Sequence, residues 1–153
     1  AEATGVAGEE FLNAHFEREH QEGRIAAFEW TASINAVSVF DFRVTPVAGG
    51  IRLVDAKSTT GVFANPIHLS FGELYKAVHG PEPYDICRLY EVTGERAKMR
   101  IATNIGPIVR RVLQSFSSLP PEVAVDGISI RPDFLNFAAE EFVLEVSSAE
   151  DPD

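Results

Sequence analysis

The sequence predicts an α/β or α+β domain with a mixed sheet, on three observations. The chain opens on apolar residues at helical spacing, continues in paired segments of strand-like alternation, and then alternates helix and strand patterns. Residues 3–22 read as a helix, because Gly5, Gly8, Leu12 and Phe16 fall on one face at spacings of three and four, with Gly23 as its stop. Residues 25–31 read as a strand. Residues 39–45 are a clearer one, with Phe40, Phe42 and Val44 alternating with Val39, Asp41 and Arg43. Pro46 to Gly50 is a turn, and residues 51–58 return as the second arm of an antiparallel hairpin.

Ser70-Phe-Gly-Glu73 has capping-box spacing and opens a helix running to about Gly80, where Pro81 and Pro83 end it. Residues 85–92 and 97–103 are strands of a second hairpin around Gly94. Asn104 should cap a short helix over residues 107–116. Leu119-Pro-Pro is a linker, weak strands follow near 125–131 and 141–147, and residues 148–153 should fray. The division expected is a core over residues 1–118 and an acidic extension over residues 119–153, in the same domain or appended to it.

A chain of 153 residues with 45% apolar content can bury a core without staples. Cys87 is the lone cysteine, which excludes a disulfide framework or a cysteine-rich metal cluster and fits a reducing cytoplasm. No apolar run approaches the ~20 residues that span a bilayer, so no membrane partner is expected. Ala1 to Gly8 lack the basic and apolar regions of a secretion signal, and an opening on Ala1 reads as a piece of something longer. The net charge of −10 argues against a nucleic-acid binder, but it is uneven. Residues 1–22 carry six acids and one base, and residues 120–153 nine acids and one base. Residues 88–111 carry six bases and two acids.

The first hairpin holds the most informative coincidence. Asp41 and Asp55 are equidistant from Ala48, so symmetric pairing sets them directly opposite each other. Like charges in that position repel unless something positive lies between, and a divalent cation with oxygen ligands would supply it. Lys57, two residues beyond Asp55, belongs on the same face. Glu9 lies on the core-facing stripe of the first helix, where a carboxylate needs a partner. His15, His20, His68 and His79 have no metal-ligand spacing. No phosphate-cradling Gly-rich loop or nucleophile elbow is present. Ser70 and Glu73 are explained by the helix cap, and Tyr75, Tyr84 and Tyr90 by a core.

Asp41, a turn and Asp55-Ala-Lys57, preceded by a helix bearing Gly8-Glu9, resemble the PD-(D/E)XK nuclease superfamily. More narrowly, the chain resembles the family of the C-terminal domain of the plant protein NO VEIN, also found in helicase-linked and defence proteins. The matching pieces are Gly8-Glu9-Glu10-Phe11, Trp30, Phe40-Asp41-Phe42, Val54-Asp-Ala-Lys-Ser58, Ser70-Phe-Gly-Glu73 and Arg88-Leu-Tyr-Glu-Val92, spread over residues 5–117. The resemblance implies a restriction endonuclease-like mixed sheet flanked by helices and a Mg²⁺- or Mn²⁺-dependent site cleaving nucleic acid, DNA foremost. It makes Asp41 and Asp55 metal ligands, with the Ala56 carbonyl completing the shell. Lys57 would orient or deprotonate the attacking water, and Glu9 would act through a metal-bound water. Arg88 and Tyr90, alternating on a strand, are candidates for substrate contact. Helicase or ATPase domains are the partners implied. Two other readings compete: a nuclease fold kept as a binding or regulatory module without turnover, and a docking domain whose acidic tail meets a basic partner.

Overall fold

A computed structural model describes residues 2–35 and 37–146. Helix α1 (Glu2–Gln21) forms where the sequence predicts it and buries Phe11, Leu12 and Phe16. Strand β1 (Ile25–Trp30), a short 3₁₀ turn (Thr31–Ser33), β2 (Phe42–Pro46) and β3 (Arg52–Ser58) follow. Gly49 and Gly50, at φ of 92° and 82°, make the β2–β3 turn with backbone that side chains with a Cβ resist. Phe42 pairs with Val54, Arg43 with Leu53 and Val44 with Arg52, a register centred on Ala48. The predicted hairpin symmetry is thus realised.

Strand β4 (Ile67–Ser70) leads into α2 (Phe71–His79). Then come β5 (Tyr84–Tyr90), β6 (Arg96–Ala102), α3 (Gly106–Ser115), β7 (Gly127–Ile130) and β8 (Phe142–Glu145). Among the described residues the main sheet has six strands in the order β1-β2-β3-β5-β6-β8, and β4 pairs with β7 in a separate ribbon. The sheet is mixed, because β3 and β5 run parallel while its other neighbours are antiparallel. A parallel pair needs a crossover, and here β4 and α2 supply it.

Two cores lie on opposite faces of the sheet. Helix α1 covers Phe42, Val44, Val54, Cys87, Leu89 and Met99. The other face buries Leu53, Tyr84, Ile86 and Ala102 against Leu74 and Val78 of α2 and Ile105 and Val109 at α3. Among the described residues no helix is long and apolar enough to cross a membrane.

Several sequence expectations are corrected. β2 begins at Phe42, after a bend, and the bend carries Phe40 into the α2-side core while Phe42 and Val44 stay on the α1 side. The β4–β7 pairing was not anticipated. Asn104 is not a cap: it sits at φ of 51° and gives its N–H to Asp85 Oδ1 at 2.8 Å, and Ile105 precedes α3 with no side-chain cap. Tyr75 is 54% exposed instead of core. The two weak C-terminal strands appear as β7 and β8, and β8 is an edge of the main sheet. The expected fraying of 148–153 lies outside the described residues.

Candidate active site

The site is built at the open end of the β2–β3 hairpin. The Asp41 N–H donates to the Val54 carbonyl at 2.9 Å, and the Ala56 N–H donates to Asp41 Oδ2 at 2.8 Å. These bonds fall on either side of Asp55 and set Asp41 beside it. Asp55 is 2% exposed. Its burial, with Glu73 and Asp41 adding to it, pushes its pKa well above the ordinary carboxylate range against the pull of Lys57. Asp41 is raised too, chiefly by burial, with the Ala56 N–H opposing.

Tyr84 completes the pair's surroundings. Its hydroxyl lies 2.6 Å from the Val39 carbonyl, which can only accept, and 2.9 Å from Asp55 Oδ2. A phenol has one proton to give. The hydroxyl therefore shares its one proton between the Val39 carbonyl and Asp55 Oδ2.

Lys57 emerges from β3 on the same face as Asp55. Its Nζ is 3.4 Å from Asp55 Oδ2 and 2.8 Å from Glu73 Oε1. Burial alone would lower the lysine's pKa, but Asp55, Glu73 and Asp41 together outweigh it and the ammonium is held. Glu73 also closes the α2 cap: Glu73 N–H donates to Ser70 Oγ at 3.1 Å, and Ser70 N–H donates to the same Glu73 Oε1 at 3.0 Å. The capping box predicted from sequence is therefore present, and it carries a second duty.

Glu9 approaches from the α1 side. Trp30 Nε1–H donates to Glu9 Oε1 at 2.9 Å, and the indole is stacked on Phe42 with ring centroids 5.7 Å apart. Burial raises the Glu9 pKa and the indole N–H opposes it. The approach is permitted by Gly8, where any Cβ would overlap Ser58 Oγ at the end of β3.

Arg88 and Tyr90 point into the protein. Arg88, paired with Lys57 across β3 and β5, is 2% exposed and donates to the carbonyls of Lys57 (3.3 Å) and Asn65 (2.6 Å). The Tyr90 hydroxyl is bonded to Glu141 and its ring packs on Phe63. Their polar ends are occupied by protein groups instead of facing a groove. Ala56 contributes its backbone between Asp55 and Lys57, while its side chain lies on the α1 side.

Asp55 and Glu73 thus share one ammonium with Asp41 beside them, an arrangement rich in carboxylates for a single cation. Its donors are all oxygens, the set a hard divalent cation takes. Among the described residues no three His, Cys, Asp or Glu side chains form a cage for a metal by themselves. A cation that keeps several waters needs only one or two carboxylates, and Asp41 and Asp55 fit that demand. Sequence reasoning passed over Glu73 as a cap and Tyr84 as core. The available signal was charge: a buried-face lysine between acids invites a further acid from the next helix.

Comparison with protein-family models, with curated proteins and with solved structures finds no match for this chain.

Proposed function

We propose that this chain is a metal-dependent nuclease domain of the PD-(D/E)XK type, related to the NO VEIN C-terminal family, that hydrolyses phosphodiester bonds in nucleic acid, DNA foremost. The observation that carries the reading is the adjacent pair of a half-buried Asp41 and a buried Asp55, flanked by Lys57. Such a pair is strained without a cation and relieved by one. Asp41, Asp55 and the Ala56 carbonyl would hold Mg²⁺ or Mn²⁺, which when bound polarises a phosphoryl oxygen and acidifies a coordinated water. Lys57 places a fixed positive charge beside the reacting phosphate, where negative charge builds during displacement. Glu9, with one oxygen fixed by Trp30, keeps the other to accept a proton from an attacking water. Arg88 supports the Lys57 backbone from behind.

The restriction endonuclease-like fold, a cytoplasmic location and a role as effector of a larger DNA-processing or defence protein belong to the same proposal. A helicase or ATPase partner would bring the basic surface that this chain of net charge −10 lacks. That charge also favours the second reading, a nuclease fold retained for binding or regulation. The deciding experiment is cleavage of labelled single- and double-stranded DNA and RNA with Mg²⁺ or Mn²⁺, by wild type and by Asp55→Asn and Lys57→Ala. Metal-dependent cleavage lost in both variants is expected. Absence of cleavage by the wild type selects the second reading, and cleavage unchanged in both variants rules out Asp55 and Lys57 as its source.

A further inference from the structure

We propose that Glu73 is a positioning residue that holds the Lys57 ammonium over the Asp41–Asp55 pair and ties that position to the first turn of α2. The inference rests on the phosphodiesterase reading for its functional meaning, and on geometry for its substance. One atom, Glu73 Oε1, accepts from both Lys57 Nζ at 2.8 Å and Ser70 N–H at 3.0 Å. The Ser70 backbone N–H, which any residue at that position but proline supplies, fixes where that oxygen is, while Ser70 Oγ separately accepts from Glu73 N–H at 3.1 Å. Lysine has a long flexible stem and no geometric preference of its own. Its second contact, Asp55 Oδ2 at 3.4 Å, is longer, and Asp55 is also the group that a cation would engage. Glu73 is then the anchor that keeps Lys57 in place when Asp55 is otherwise occupied. The coupling has a further consequence: any movement of the β4–α2 junction reaches Lys57 directly.

The two duties of Glu73 separate by mutation. Glutamine is the other residue that closes a capping box, so Glu73→Gln keeps the helix cap and removes the charge that binds the ammonium. Ser70→Ala does the reverse, weakening the cap and leaving the Lys57–Glu73 contact. Melting temperature should therefore fall in Ser70→Ala and hold in Glu73→Gln. Metal-dependent cleavage, measured where each variant is folded, should fall about 10–100-fold in kcat with KM little changed in Glu73→Gln, the usual scale for partners that orient a reactive group, and stay within about twofold in Ser70→Ala. Lysine-selective ¹⁵N NMR of the full metal-free chain reads the contact without any turnover. The Lys57 ammonium should give a signal protected from water exchange in wild type and Ser70→Ala and an exchange-broadened one in Glu73→Gln. An unchanged Lys57 signal in Glu73→Gln, or equal loss of cleavage in both variants, overturns the positioning role. If the signal responds as expected and the wild type cleaves nothing, the phosphodiesterase reading falls while the Lys57–Glu73 tether stands.

Discussion

Asp55→Asn should stabilise the metal-free protein, which is unusual for a change at a 2%-exposed site. The reasoning is electrostatic. Ionising Asp55 sets a second carboxylate beside Asp41, and two such charges about 5 Å apart repel by about 3 kcal/mol at an effective dielectric of ~20. Burial adds to this cost, Glu73 increases it, and Lys57 at 3.4 Å offsets part. The asparagine keeps the volume and an oxygen for Tyr84, while Lys57 keeps Glu73. A gain of about 1–3 kcal/mol at pH 8 in EDTA follows, or a melting temperature higher by several degrees at about 2–4 °C per kcal/mol. The sign of the pH dependence is set by the raised folded pKa of Asp55. Folded protein then binds more protons than unfolded chain between the two pKa values, so wild-type stability is greatest on the acid side and declines as pH rises through the folded value. Asp55→Asn lacks that decline, and the advantage of the variant should grow from about pH 4 upward. Mg²⁺ should reverse the order, adding about 2.7 kcal/mol to wild type at a hundredfold excess over its Kd and little to the variant. Thermal melts at several pH values, with and without metal, provide the assay. A variant less stable than wild type in EDTA at pH 8, or a difference that does not vary with pH, refutes the strained-pair reasoning.

Lys57→Ala should abolish metal-dependent cleavage and also cost about 2–3 kcal/mol of metal-free stability, since it strands Asp55 and Glu73 without their cation; chemical denaturation measures the loss. Gly8→Ala should destabilise by about 1–3 kcal/mol, because the added methyl meets Ser58 Oγ at a packed helix–strand contact; pairing it with Ser58→Gly should recover most of the loss. Trp30→Phe keeps a ring on Phe42 but removes the N–H held by Glu9. It should cost about 1 kcal/mol and raise the Glu9 pKa, which NMR titration of the carboxyl follows.

What the sequence determined by itself is local or symmetric. The first helix, the β2–β3 register and the α2 capping box follow from spacings within a few residues of a turn or cap, and those interactions form wherever the pattern is present. The nearness of Asp41 to Asp55 follows from the same turn symmetry, whereas the period-two reading of Phe40, Phe42 and Val44 as one apolar face fails at the bend before β2, which turns Phe40 to the α2 side. The tertiary structure decided the rest. The four-residue β4 finds its partner β7 far along the chain, and a strand so short carries no pattern that names its neighbour. Parallel pairing of β3 with β5 sets Tyr84 beside Leu53 and Arg88 beside Lys57, and so decides which polar groups border the site. Glu73 meets Lys57 because the β4–α2 crossover folds the start of α2 back over the end of β3. From sequence its carboxylate looked satisfied by the cap alone, since one oxygen can accept two donors and only the packed structure reveals the second. Whether an ammonium among acids is a burden or a stabilising charge likewise depends on burial and on how many carboxylates surround it, and these are properties of the packed chain.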